Sequence, residues 1–264
     1  MALASAFNRS PALVLLETPS NPLIRFVDIR AVAARAKAVG TKVVVDNTFL
    51  SPALQRPITL GADFVIHSAT KYLNGHSDVV GGVVIAADMA DVRELADWAN
   101  ITGVTGAPFD AYLTLRGLRT LFLRTEAQQR TAASLAVFLQ QHPSVRAVHY
   151  PGLETHPGHA IAKAQQAGFG AMLSFDIKGD IGGVHRFVES LRVFTLAESL
   201  GGIESLVAHP ATMTHASMSP DARRVADIGD TLLRLSVGLE AQVDLMKDLR
   251  HGFSVLSANE DRTT

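Results

Sequence analysis

The chain has 264 residues, 47% hydrophobic and 19% charged, enough apolar material for a core in one large domain or two smaller ones. Its 24 basic and 25 acidic residues nearly cancel, which argues against nucleic-acid and membrane-surface partners and makes a small-molecule ligand the default. The absence of cysteine removes disulfides and thiolate metal sites, and no apolar run is long enough to span a bilayer; both features fit a cytoplasmic protein.

The opening stretch, Met1 to Arg9, has neither the basic start nor the apolar segment of a signal peptide. It reads as the end of a helix with Leu3 and Phe7 on one face. Leu13-Val-Leu-Leu16 is a continuous apolar run, as expected of a strand buried on both faces. Glu17-Thr-Pro-Ser-Asn-Pro22 follows as a turn, because its two prolines can neither extend the strand nor start a helix cleanly. A helix is predicted next, capped by Asp28, with Ile29, Val32, Ala33, Ala36 and Val39 at helical spacing and Gly40 as its stop. Val43–Val45 ends in Asp46, Phe64–His67 leads into Ser68-Ala-Thr-Lys71, and Gly82–Ala86 is a fourth strand. Strand, helix, strand, crossover, strand predicts an α/β fold with a mostly parallel sheet. Thr105–Gln141 reads as continuously helical, closed by Pro143. Beyond it, strands at Val145–His149, Ala171–Phe175, Arg192–Thr195 and Leu232–Ser236 alternate with helices near 157–167, 181–191 and 240–256, predicting a smaller α/β domain.

Ligands of open α/β sheets bind outside the carboxyl ends of parallel strands. Asp46 and Lys71 both lie just past such ends. A carboxylate facing a lysine is also what a structural ion pair looks like, and spacing alone leaves both open. Ser68 and Thr70 beside the lysine could hold a phosphate, and the polar, glycine-containing stretch Tyr72–Gly82 suits a loop that approaches a ligand closely. Phosphate donors, a lysine and a carboxylate are what a pyridoxal-phosphate site requires.

Six ordered stretches carry a resemblance. Glu17-Thr-Pro-Ser-Asn-Pro22, Val45-Asp-Asn-Thr-Phe49, Ser68-Ala-Thr-Lys-Tyr-Leu-Asn-Gly-His-Ser-Asp78, Ala197-Glu-Ser-Leu-Gly-Gly-Ile-Glu-Ser205, Pro210-Ala-Thr-Met-Thr-His215 and Leu233-Arg-Leu-Ser-Val-Gly-Leu-Glu240 resemble the Cys/Met-metabolism family of fold type I pyridoxal-phosphate enzymes. The resemblance implies roles position by position. Lys71 matches the lysine that joins the cofactor covalently and later moves protons, and Asp46 matches the carboxylate that keeps the pyridine nitrogen protonated. Ser68 and Thr70 match phosphate-binding hydroxyls. Asn21 matches an asparagine near the ring oxygen and the substrate carboxylate. Arg234 matches the arginine that clamps that carboxylate with a two-pronged fork, assisted by Ser199. The implied domains are residues 1–130, part of the cofactor-binding domain, and 131–264, the smaller domain.

Within the family, Thr48–Gln55, Gly103-Val-Thr-Gly106 and Gly168–Phe175 resemble the branch that makes cystathionine by γ-replacement on O-succinyl- or O-acetyl-homoserine with cysteine. A γ-elimination on the same cofactor is the nearest alternative, sulfhydrylation of the same acyl ester the third, and a non-catalytic fragment the reading from another class. Small-molecule substrates, no nucleic-acid or membrane partner, and a homotetramer built as a dimer of dimers are implied with it. The family's glycine-containing phosphate loop and ring-stacking tyrosine are not recognisable before Pro11. The chain therefore reads as an N-terminally truncated form, expected to be a poor catalyst alone and to have association-prone sheet edges. Other residues take plainer readings: His67 as a core histidine, His156 and His159 as a solvated helix start, Trp98 as a packing residue, and His209 and His215 as unsuited to a metal site.

Overall fold

The computed structural model describes residues 7–260, so the predicted position of Leu3 lies outside the described residues. Two compact units divide the chain. The first comprises the chain up to Asn21 with Arg25–Phe122 and Gly158–Phe169; the second comprises Pro22–Ile24, Leu123–Pro157 and the chain from Gly170.

In the first unit, β1 (Leu13–Glu17), β2 (Lys42–Asp46), β3 (Phe64–Ser68) and β4 (Gly82–Ala86) form a sheet in that order. The first three are parallel, with Glu17 opposite Asp46 and Asp46 opposite Ile66, and β4 runs antiparallel with Gly82 opposite Ser68. Helix α1 (Ile29–Ala38) forms where the spacing places it, and the Asp28 side chain accepts from Ala31 N at 3.0 Å as its N-cap. Its Ile29, Val32 and Ala36 pack with Phe7, Leu16, Val43, Val45, Leu60 and Ala62 into one core cluster.

β1 corrects an expectation. Only Leu16 is buried, whereas Leu13 is 50% and Leu15 62% exposed, because β1 is a sheet edge covered on one face. The central β2, with Val43, Val44 and Val45 all buried, is the strand closed on both faces. After β2 come the short α2 (Ser51–Leu54) and a 3-10 turn (Pro57–Leu60).

Two helices on the carboxyl side of β4 also differ from expectation. α3 (Met89–Thr102), capped by Asp88, buries none of its residues, and Trp98 is 59% exposed rather than packed. The predicted helix over 105–141 is two helices, α4 (Pro108–Leu118) and α5 (Leu121–Gln141). The break falls where a distant segment meets the helix. A Cβ at Gly117 would run into the Asn74 carbonyl and lie 2.9 Å from Leu73 O, and the Thr120 hydroxyl and amide both turn back onto Gly117 O. Glycine there lets α4 touch the backbone of the loop that carries Lys71. The first unit ends with α6 (His159–Gln165), whose Gln165 side chain accepts from Ile29 N.

The second unit holds a five-stranded sheet of β5 (Val145–His149), β6 (Met172–Ile177), β7 (Thr195–Leu196), β8 (Leu206–Ala208) and β9 (Leu232–Ser236), in the order β5-β6-β9-β8-β7. It is antiparallel except for the β7–β8 pair. The strand expected over Arg192–Thr195 is shorter and later, because Asp248 accepts hydrogen bonds from Arg192, Val193 and Phe194 N and leaves those amides unavailable to a ladder. Helices α7 (Ile181–Ser190), α8 (Pro220–Val225) and α9 (Gln242–Glu260) complete the unit. His156 is buried, which overturns its solvated reading; His159 begins α6 half-buried, stacked on Phe169 at 5.4 Å.

Candidate active site

Parallel pairing places Glu17, Asp46 and Ser68 at one edge of the first sheet, as the last residues of β1, β2 and β3. Asp46 is half-buried, and its Oδ1 accepts from Thr48 N at 2.9 Å, which bends the chain away from the strand. The Thr48 hydroxyl in turn accepts from Ser68 N at 2.9 Å, so the ends of β2 and β3 are fastened together across the ligand edge.

Beyond Ser68, Ala69–Leu73 winds a single wide turn, closed by Asn74 N donating to Ala69 O at 3.0 Å. Lys71 breaks it with φ −92° and ψ −129°, and Gly75 N returns to Lys71 O at 2.7 Å. Wide turns of this kind recur where a side chain must be aimed at a ligand. Thr70 is tied to Gly81, whose N donates to Thr70 Oγ1 at 3.0 Å, while Asn74 Nδ2 donates to Asp78 Oδ1 at 2.7 Å and closes the loop. Ser68, Thr70, Lys71 and Asp46 thus stand within one constellation at the carboxyl edge, with Asn21 at the end of the turn that leaves β1.

Two titratable neighbours join them. Partial desolvation pushes the Glu17 carboxyl above the usual carboxylate range, a backbone hydrogen bond at Asn21 opposes this, and the Asp46 charge adds to it. His67 is 3% exposed, and burial lowers its pKa despite the nearby Asp46 charge and a backbone hydrogen bond at Asn47, so the ring is neutral near pH 7. Glu17 belongs to a stretch singled out in the sequence, but its place beside Asp46 follows only from the strand register.

Arg234 and Ser199 lie in the second unit. Arg234 sits in the middle of β9, opposite Ser174 and Ala208, and is 1% exposed. Its Nη2 donates to Glu198 O at 2.6 Å and Ser199 O at 3.0 Å, which fixes the guanidinium against the segment that carries Ser199. The same segment is held at further points. Ser236 Oγ accepts from Gly201 N at 2.8 Å, Gln128 donates to Gly202 O at 2.7 Å, and Glu240 accepts from both the amide and the hydroxyl of Ser205. A Cβ at Gly238 would meet the Ile203 carbonyl and lie 2.5 Å from the Glu204 carbonyl carbon. The alternation of Arg, Ser, Gly and Glu through Leu233–Glu240 is therefore a row of fastenings for one loop. Sequence alone identified the stretch but not the loop it grips.

His209 takes a structural role, bonded to Thr212 Oγ1 at 2.8 Å and Asp230 O at 3.0 Å. Among the described residues no group of three or more His, Cys, Asp or Glu is placed to hold a metal ion, and no helix is long and apolar enough to cross a membrane.

A primary amine on a kinked turn, two hydroxyls beside it and a carboxylate on the neighbouring strand end form a donor set that fits pyridoxal phosphate: a nucleophile for its aldehyde, donors for its phosphate, an acceptor for its ring N–H. The fold is that of the fold type I pyridoxal-phosphate-dependent enzymes. The family profile described as "Cys/Met metabolism PLP-dependent enzyme" matches residues 1–254, and the chain belongs to that family. Over 252 residues it is 58% identical to cystathionine gamma-synthase of Escherichia coli, covering 96% of this chain and 65% of that protein. Cystathionine gamma-lyase of Dictyostelium discoideum is 48% identical over 247 residues, covering 94% and 64%. The crystal structure of cystathionine gamma synthase from Xanthomonas oryzae, solved with aminoacrylate and cysteine, superimposes with a TM-score of 0.95 at 59% identity, covering 97% of this chain and 66% of that one. The chain thus spans just under two thirds of the length of these relatives.

Proposed function

We propose that the chain carries the catalytic lysine and substrate-binding residues of a pyridoxal-phosphate-dependent γ-replacement, in which cysteine sulfur displaces the acyloxy group of an O-acyl-homoserine to give cystathionine. The observation that carries it is Lys71 on its kinked turn, beside a parallel strand that ends in Asp46. The higher identity to the Escherichia coli and Xanthomonas oryzae synthases, 58% and 59%, than to the Dictyostelium lyase, 48%, supports replacement over elimination.

Pyridoxal phosphate, when bound, supplies an electron sink for charge developed at the substrate α-carbon. Lys71 Nζ would hold the cofactor and then carry a proton away from the α-carbon and toward the leaving side. Asp46 would accept a hydrogen bond from the ring nitrogen and keep its proton in place. Ser68 and Thr70 hydroxyls would donate to the phosphate, and Asn21 would orient the ring oxygen and the substrate carboxylate. Arg234, held rigid by the Glu198 and Ser199 carbonyls, would present its guanidinium fork to the α-carboxylate, with Ser199 as second donor. In this reading residues 1–130 form part of the cofactor domain and 131–264 the smaller domain, and the protein works as a cytoplasmic homo-oligomer.

Elimination is the second reading, favoured by the 48% identity to the lyase. Incubating the protein and pyridoxal phosphate with O-succinyl-homoserine, with and without cysteine, and identifying products by mass spectrometry separates the two. Cystathionine formed only with cysteine supports replacement. Oxobutyrate released when cystathionine is supplied in a parallel incubation, with no cystathionine made from O-succinyl-homoserine and cysteine, supports elimination.

A further inference from the structure

We propose that Gln55 is a positioning residue that fixes the Asn21 turn relative to the Asp46 strand end, and through them the geometry of the cofactor site. The inference rests on Asn21 and Asp46 being cofactor residues, but its physical basis is separate. Gln55 is 2% exposed and lies just after α2. Its Nε2 donates in two directions at 3.0 Å each, to Thr18 O in the turn leaving β1 and to Asn47 Oδ1 in the chain leaving β2. Its Oε1 accepts from Gln166 Nε2 at 3.2 Å, and its carbonyl accepts from Asn47 Nδ2 at 2.8 Å.

Asn47, 1% exposed, completes the circuit: its Nδ2 also donates to Ser51 O at 3.1 Å and its amide to Ile66 O at 2.9 Å. Ser51 adopts φ +56°, a conformation uncommon for a residue with a side chain, within the turn that its N–H closes by donating to Asn47 O at 3.0 Å. Thr18 is wholly buried, and its hydroxyl accepts from Val27 N at 3.1 Å. Both donors of the Gln55 amide are therefore spent between two segments 37 and 8 residues away, each leading within three residues to a cofactor residue, while its oxygen is held by Gln166. Thr18 is three positions from Asn21, and Asn47 adjoins Asp46. In a buried setting such a network has one arrangement, because an alternative leaves amides unsatisfied.

Gln55→Met keeps the length of the side chain and removes both donors; Gln55→Glu, whose buried carboxyl is neutral, keeps one. Hydrogen–deuterium exchange of the whole chain without cofactor reads the first consequence. Peptides covering 17–27 and 46–50 should both exchange faster, by about tenfold in Gln55→Met and less in Gln55→Glu, while peptides of α1 stay unchanged. The second readout is the pH midpoint of the visible band of added pyridoxal phosphate together with its dissociation constant. Both should move in the same order, the constant by roughly tenfold or more in Gln55→Met. Ile29→Val, a core truncation in the same unit, serves as the control that lowers stability and leaves the band in place. If Gln55→Met does not fold, Gln55→Glu alone decides. Faster exchange in only one of the two peptides, or a band and affinity unchanged from wild type despite lost stability, overturns the proposal. A wild-type chain that takes up no pyridoxal phosphate at Lys71 sinks the functional reading instead, and the exchange result then decides whether Gln55 couples the two segments.

Discussion

Asp46, Ser68, Thr70 and Lys71 stand half-buried at or beyond strand ends, held by hydrogen bonds between short turns, whereas Arg234 lies within β9, 1% exposed, with its guanidinium bonded to two carbonyls. The difference fits the role proposed for each group. The role proposed for Lys71, a covalent bond followed by proton movement, calls for an accurately placed backbone, and the Lys71 kink and the Gly117 contact supply one. An arginine that only clamps a carboxylate loses nothing by being rigid, and rigidity lowers the entropy cost of binding.

That contrast can be broken at four places. The largest effect belongs to Lys71: Lys71→Ala should bring turnover below detection, and Lys71→Arg should do no better, since arginine keeps its proton at neutral pH. Asp46→Asn preserves volume and much of the hydrogen bonding but removes the charge, so kcat should fall by roughly a thousandfold or more with a smaller change in KM. Near-normal turnover would make Asp46 a structural residue.

On the rigid side, Arg234→Lys loses the fork and its bonds to Glu198 and Ser199 O, each charge-assisted bond worth about 1.5–3 kcal/mol. KM for the acyl-homoserine should rise by roughly ten- to a hundredfold. An unchanged KM would remove Arg234 from the substrate site.

The smallest effect is a pH dependence of stability. Burial lowers the pKa of His67, His142, His209 and His215, so the unfolded chain binds more protons than the folded one as pH falls below about 6.5. The stabilisation is fully present above that pH and is lost as pH falls through the lowered folded values. Urea midpoints should drop between pH 7.5 and 5.5, and less steeply in His67→Gln; a flat profile would contradict the burial assigned to these rings.

Much of this was legible in the residues themselves. The apolar residues of β2 and β9 are buried in place, Asp28 is a cap at the position its chemistry suits, and Lys71 and Asp46 stand at or just past strand ends as the parallel order requires. What escaped depends on residues distant in sequence. The split of the 105–141 helix needs the Asn74 carbonyl against Gly117, the exposure of Leu15 needs the position of β1 at a sheet edge, and the late start of β7 needs Asp248 over the Arg192–Phe194 amides. Trp98 misled for a related reason: a large apolar side chain states a preference for burial, and only the neighbours of α3 decide whether it is met.

The most direct test of the account is chemical. Borohydride reduction of the protein mixed with pyridoxal phosphate, followed by proteolysis and mass spectrometry, should place a single phosphopyridoxyl group on the peptide that contains Lys71 and leave Lys71→Ala unlabelled. Label recovered chiefly on Lys42 or Lys163, or label of equal yield in Lys71→Ala, would contradict the assignment of the kinked turn after β3 as the cofactor attachment site.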